Sequence, residues 1–364
     1  MFISVNYASG QVDSVNIGMN PSAFDVAISD TQSVKSTLFD TDDVFEISLA
    51  FDITRYKRIR SEDEYFPALL KYYNNETDSV VKKIKVRARG NIRRTGVGMC
   101  DFPPLLLNFK MKDSESDEFA GINKLKIVPY CKKGYEQYIL KEYICYKLYN
   151  ILTDYSLKAR LFKITYIDSA RLSKDPIVQY GFAIEPVAIY EKRTNTKEIE
   201  FKGMSQRNVI PDMLDKMAIF NYMIGNTDWS VPIMHNVKLF APAPPAPANE
   251  IEIIPYDFDY AGLVNIDYAI PFEALPIKSV RDRLYMAVCR TEEEFNKTLS
   301  EFVEKKDAFY KVINDCQYLS PSSKKDVIKY LDGFFSGIEG KSSTVKKILN
   351  DCAWFEVQSN LRLK

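Results

Sequence analysis

Gly225-Asn226-Thr227-Asp228-Trp229, then His235-Asn236-Val237-Lys238-Leu239-Phe240, then Ile254-Pro255-Tyr256-Asp257-Phe258-Asp259-Tyr260 is the stretch whose reading decides the fold. It puts an Asp on a loop after a helix, an Asn eight residues later at the start of a strand, and an Asp at the end of the next strand. Metal-assisted phosphoryl transfer needs donors in that order. One carboxylate orients the attacking hydroxyl, and one Asn and one Asp hold Mg²⁺ on nucleotide phosphates. Between Asn236 and Asp257 lies the Pro- and Ala-rich tract 241–249. It reads as an interdomain linker, a Pro-rich ligand or a hairpin tip. Matched apolar strands over 237–240 and 251–255 favour the hairpin, which sets Asn236 and Asp257 side by side.

Asp257 and Asp259 interrupt an apolar run. As alternate residues of a strand they would share a face. Two carboxylates on one face repel unless a cation compensates. Mg²⁺ suits this, because it takes carboxylate, amide and phosphate oxygens. The competing reading pairs these acids with Arg281 or Arg283. For Asp228 the competing reading is an ordinary turn after a glycine-capped helix. His235, the single histidine, is expected to take a positioning role beside Asn236 rather than to transfer a proton.

Outward from this stretch, a helix is expected over 211–225, with Pro at its start and Gly at its end. Further helices are expected over 279–289, 292–316, 321–337 and 342–352. Upstream, strands are expected over 44–51, 80–89, 105–110, 123–128, 160–168 and 179–186, while 60–73 reads as the polar stretch Ser61-Glu62-Asp63-Glu64 followed by an apolar segment. A long helix over 135–153 is inserted among them. Residues 1–42 read as an irregular arm rich in Ser, Asp, Asn and Thr. Residues 43–187 read as a β-rich lobe and 188–364 as a mostly helical lobe. The fold class is therefore α+β and two-lobed.

Lys+Arg and Asp+Glu each total 49, so the chain is formally neutral and gives no reason to expect a nucleic-acid partner. No apolar run is long enough to span a membrane. The opening Met1-Phe2-Ile3-Ser4-Val5 lacks the pattern of a signal peptide. The chain as it stands reads as cytoplasmic, or as exported if such a segment precedes it. The six cysteines form no C-x-x-C, and with one histidine a structural zinc site is not expected. Cys145, Cys289 and Cys316 read as core, whereas Cys100 and Cys131 lie near loops and could pair if the protein is exported, a question the sequence leaves open.

A cationic partner for phosphate is expected from the first lobe. The choices are Lys110, Lys124 and Lys126, and Lys126 would be held by Glu142 of the long helix. Arg89-Gly90-Asn91 and Thr95-Gly96-Val97-Gly98 read either as a backbone cradle for phosphate or as a flexible hairpin.

These motifs together resemble the CotH-type atypical protein kinases. The order of elements is similar to that of HipA-like kinases, and Lys141-Glu142-Tyr143-Ile144-Cys145 matches their helix element. Cys100-Asp101-Phe102-Pro103-Pro104-Leu105 and the run from Tyr256 to Val264 look like a Bacteroidetes branch related to CotH. The resemblance implies a protein-kinase-like fold with ATP between the lobes. It makes Asp228 the hydroxyl-orienting residue and Asn236 and Asp257 the Mg²⁺ ligands. It makes Lys126 the phosphate lysine with Glu142 its partner, and places Glu185 near the hinge that meets adenine. Three features depart from the pattern: the eight-residue gap between Asp228 and Asn236, Asp257-Phe258-Asp259 in place of Asp-Phe-Gly, and the non-standard glycine loop. The expected activity is transfer of a γ-phosphoryl group from MgATP to a hydroxyl, on a protein. The alternative is an inactive kinase-like fold whose surface binds a nucleotide, a protein or a carbohydrate.

Overall fold

Alternation of apolar and polar residues builds the first half of the molecule. In β1 (Phe45–Phe51) the residues Phe45, Ile47, Leu49 and Phe51 are buried while their neighbours face outward. The same period runs through β2 (Phe66–Tyr73) and β3 (Ser79–Ala88). With β4 (Leu105–Asn108), β5 (Lys124–Val128), β6 (Ala159–Asp168) and β7 (Ile177–Ile184) they close into a barrel, in the order β1-β2-β3-β4-β5-β7-β6. Each neighbouring pair is antiparallel except β1 and β6, which run parallel with Phe45 opposite Phe162. The computed structural model describes residues 37–75, 77–96, 99–109, 117–243, 250–339 and 343–362, with side chains as far as 358.

The second half is mostly helical. It contains α4 (Val187–Thr194), α5 (Pro211–Ile224), α6 (Glu292–Glu304), α7 (Lys306–Asp315), α8 (Pro321–Ile338) and α9 (Ser343–Arg362). A small sheet of β8 (Thr196–Ile199), β9 (Val237–Pro242) and β10 (Glu252–Pro255) lies among them, ordered β10-β9-β8. The fold is thus mixed α+β. The first half is a closed barrel, where the sequence predicted only a sheet.

One apolar core fills the barrel. The other gathers around α3 (Glu136–Leu152) and the later helices. Helix α3 packs on β6 and β7 at one side and on α5 and α7 at the other. It is buried over most of its surface, and even Lys141 and Glu142 are covered.

Several expectations are corrected. Residues 279–289 form no helix. Side chains satisfy their backbone instead: Gln206 bonds Met286 O and Val288 N, Asp351 bonds Tyr285 N, and Glu356 bonds Cys289 N. The single helix expected over 292–316 is two, broken at Lys305. The short helix α1 (Ile53–Ile59), the single turn α2 (Ile92–Thr95), α4 and β8 were not anticipated. At the end of the expected arm, Leu38 and Phe39 are buried in the barrel core.

Cys100 and Cys131 are joined in a disulfide. So are Cys289 and Cys352, although Cys289 had read as a core thiol. Among the described residues, no helix is long and apolar enough to cross a membrane.

Candidate functional site

The β9–β10 hairpin does what the Pro-rich tract predicts. Val237 pairs with Pro255, and Tyr256 N donates to Asn236 O at 3.0 Å, so Asn236 and Asp257 leave adjacent strand ends. Residues 244–249 of the tract lie outside the described residues.

Asp257 is not in a strand. It has φ 63°, and Asn236 has φ 52°, both in the left-handed region. Non-glycine residues seldom adopt it, and such strain concentrates at functional sites. The premise that Asp257 and Asp259 share a strand face is therefore wrong, and their surroundings differ. Tyr146 OH of α3 accepts from Asp257 N at 2.9 Å, but no side chain among the described residues bonds the Asp257 carboxylate. Burial pushes this carboxyl up to about 6; Asp259 and Asp228 add to the rise, against Arg93 and Arg89.

Asp259, expected as a metal ligand, is buried and committed elsewhere. Its Oδ2 accepts from Tyr268 OH at 2.6 Å and lies 3.3 Å from Arg93 Nη2. The same guanidinium nitrogen donates to Glu142 Oε2 at 2.6 Å, and Arg93 Nε donates to Tyr268 OH at 2.8 Å. Arg93, on α2, thus takes the place beside Glu142 that Lys126 was expected to fill. Neither Arg281 nor Arg283 reaches these acids: Arg281 bonds Gly262 O and Asp326, and Arg283 bonds Met223 O and Tyr330 O.

Asp228 follows the left-handed Gly225 that ends α5. Asn226 Oδ1 accepts from Asp228 N at 3.1 Å, and Asn226 Nδ2 donates to Asn221 Oδ1 at 2.9 Å, which fixes the loop from below. Asn236 Nδ2 donates to Asp228 O at 2.8 Å and to Oδ2 at 2.9 Å. His235 Nε2 lies 2.9 Å from Asp228 Oδ1, and this hydrogen bond raises the imidazole pKa against its burial. His235 therefore positions Asp228, where the sequence predicted a role beside Asn236. With its nitrogen so engaged, Asn236 leaves its amide oxygen Oδ1 without a partner among the described residues.

The barrel contributes cations. Lys126 of β5 has no carboxylate partner among the described residues, and its Nζ stands 6.0 Å from the Tyr256 ring centroid. Burial lowers its pKa to about 8, helped by Arg89 and Lys238 and opposed by Asp257 and Glu198. Arg89, just past β3, is likewise without a carboxylate partner among the described residues and acts electrostatically on both Lys126 and Asp257. Glu185, expected near a base, has its carboxylate spent on Arg193 at 2.8 and 2.9 Å and on Lys158 N at 3.0 Å. Lys110, Val97 and Gly98 lie outside the described residues.

One guanidinium, Arg93, thus faces three carboxylates, Glu142, Asp257 and Asp259. Glu142 Oε1 is buried without a partner, and burial drives this carboxyl's pKa up, with Arg93 opposing and Asp259 and Asp257 adding to the rise. Asn236 Oδ1 and the Asp257 carboxylate, both without a side-chain partner among the described residues, are oxygens of the kind a hard divalent cation takes together with phosphate oxygens. No group of three or more His, Cys, Asp or Glu suited to a metal occurs among the described residues, so an ion here would draw on the Asn amide and on its ligand.

Arg93, Tyr268 and Tyr146 were not singled out from the sequence. Arg93 sits in an Arg-Arg pair that reads as solvated, and only the tertiary fold buries it.

No family model matches this chain, and no curated protein does. Among solved structures it is similar to the crystal structure of a Helicobacter pylori proinflammatory kinase, CtkA. The two share 13% identity and a TM-score of 0.37, over 79% of this chain and 92% of that one. A likeness this slight carries no weight of its own, and the functional reading rests on the side chains above.

Proposed function

We propose that the protein is an atypical MgATP-dependent kinase that transfers a γ-phosphoryl group to a hydroxyl on a protein. The observation that carries this reading is the meeting of Asp228, Asn236 and Asp257 at the hairpin ends, with Arg89 and Lys126, which have no carboxylate partner among the described residues, close by. In this reading the barrel and the helical half are the two lobes of a kinase-like fold, and the nucleotide lies between them. Arg89 and Lys126 bind its phosphates. Asn236 Oδ1 and Asp257 are the groups that would hold Mg²⁺, which when bound neutralises phosphate charge. Asp228, held by Asn236 and His235, orients the acceptor hydroxyl and takes up its proton. Arg93 keeps the acids in place from behind. Catalysis rests on positioning and charge compensation more than on covalent chemistry. A protein acceptor follows from the motif resemblance alone.

One observation favours a nucleotide-binding protein without transfer: both Asp228 oxygens already accept a bond from a neighbour. Two measurements separate the readings. Millimolar MgATP is expected to raise the melting temperature, and Asp257→Ala to abolish the rise. Asp228→Ala is expected to keep the rise and to lose phosphate transfer from labelled ATP. Absence of any shift at millimolar MgATP overturns both readings; transfer that survives Asp228→Ala overturns the catalytic assignment.

A further inference from the structure

A cavity of about 570 Å³ opens on the helical half, between residues 276–283, α8 and the start of α9. Its wall carries four cations, Lys278, Arg281, Arg283 and Lys347, and one carboxylate, Asp282. Asp282 is already used, since its Oδ2 accepts from Lys278 N at 2.9 Å and Ser279 N at 3.0 Å. Asp326 offsets Arg281 at 3.1 Å, and Asp351 offsets Lys347 at 2.8 Å. Arg283 and Lys278 have no carboxylate of their own among the described residues.

Arg283 is half-buried, stacked at 4.0 Å over the Tyr330 ring beside Arg281 at 4.2 Å. Its Nε and Nη2 are spent on the carbonyls of Met223 and Tyr330, while Nη1 has no acceptor among the described residues. Burial and the neighbouring Arg281 both disfavour its charge. A guanidinium held this way lacks an anion, and its forked donors suit the oxygens of a phosphate.

Gly333 points to the same place. It lies inside α8, where glycine costs roughly 1 kcal/mol relative to alanine. Packing does not demand it, because a Cβ there would meet only Arg283 Nη1, at 3.6 Å. The missing side chain leaves the free guanidinium nitrogen open to the cavity.

We propose that this cavity is a binding site for a small phosphate-bearing anion, gripped by Arg283 Nη1 and Lys278 and admitted by Gly333. The site is separate from the cleft at Asp257, and the assignment does not depend on the kinase reading. Its apolar wall, Tyr222 and Phe334, accommodates an organic part on the phosphate.

The test uses the full chain and inorganic pyrophosphate, followed by isothermal titration calorimetry. An Arg89→Ala/Lys126→Ala background removes the cations of the cleft. Binding is expected to persist in that background and to weaken at least tenfold on adding Lys278→Glu or Gly333→Leu. Both added changes fall at exposed positions, so circular dichroism should be unaltered and neither change should lower the melting temperature; Gly333→Leu should raise it slightly. Pyrophosphate binding that disappears in the cleft background, or that is indifferent to both added changes, overturns the proposal. Absence of binding to the wild type overturns it as well. Citrate bound as tightly as pyrophosphate overturns the phosphate assignment.

Discussion

Arg93 shows how much depends on one side chain. Its side chain is 8% exposed, and its guanidinium serves Glu142, Asp259 and Tyr268 together. Removing one partner of a buried ion pair leaves the other charged and unsolvated, at a cost of about 3–5 kcal/mol. Arg93→Met is therefore expected to lower unfolding free energy by that order in urea titrations. Arg93→Lys should recover only part of it, because an ammonium cannot reproduce the fork.

Lys126 makes a prediction of a different kind. Its folded pKa, about 8, lies below the ordinary lysine value of 10.5. Below about 8 both folded and unfolded chains hold the proton, and the penalty of burying the charge is fully present. Between about 8 and 10.5 the unfolded chain binds more protons, so stability rises with pH as that penalty is relieved. Lys126→Met should flatten this rise. A bound polyphosphate favours the ammonium, so ATP binding at pH 8.5 is expected to take up a proton. Calorimetry in buffers of different ionisation enthalpy measures the uptake, and the Met variant should lack it.

At the scale of elements, two loops are locked backbone to backbone. Gly262 N donates to Gly225 O at 3.0 Å, and Leu263 N donates to Ile224 O at 2.9 Å. Tyr330 of α8 seals the junction so closely that a Cβ on Gly225 would come within 2.0 Å of its hydroxyl oxygen. Gly225 also has φ 67°, which costs a side-chain-bearing residue about 1–2 kcal/mol. Gly225→Ala should therefore destabilise by more than that conformational cost, and Tyr330→Phe should recover part of the excess in a double-mutant cycle. Asn236→Gly separates strain from function. It relaxes a left-handed residue but gives up both bonds to Asp228, so melting should fall only modestly, while the response to MgATP should be lost.

Much at this scale was legible in the sequence. Pro211 and Gly225 marked both ends of α5, and the Pro-rich tract marked the hairpin, because local backbone chemistry sets these features. Asp257 misled, because alternation implies an extended backbone and the strand ends two residues earlier. Residues 279–289 misled because their apolar spacing suits a helix, while distant side chains satisfy their backbone. The Arg93 cluster was invisible, since it joins α2, α3 and the segment after β10, which meet only in the finished fold.

For the molecule as a whole, two disulfides staple different regions. Cys100–Cys131 joins the end of the Arg93 loop to the segment before α3, and Cys289–Cys352 ties the irregular 279–289 run to α9. Such bonds persist in oxidising compartments. Non-reducing peptide mapping of protein from its native source is expected to recover both linkages, and four free thiols at these positions would reject the assignment. Loss of either bond is expected to cost on the order of 2–5 kcal/mol, seen as a lower melting temperature in reductant.

The parallel seam of the barrel has a bearing on how the chain is made. The partner of Phe45 is Phe162, so although β2 covers one edge of β1 early, the other edge waits until more than a hundred further residues have emerged. Until then that edge is an unpaired template, open to any other strand nearby. Nascent chains halted before β6 should recruit holdase chaperones, and those halted after β7 should release them.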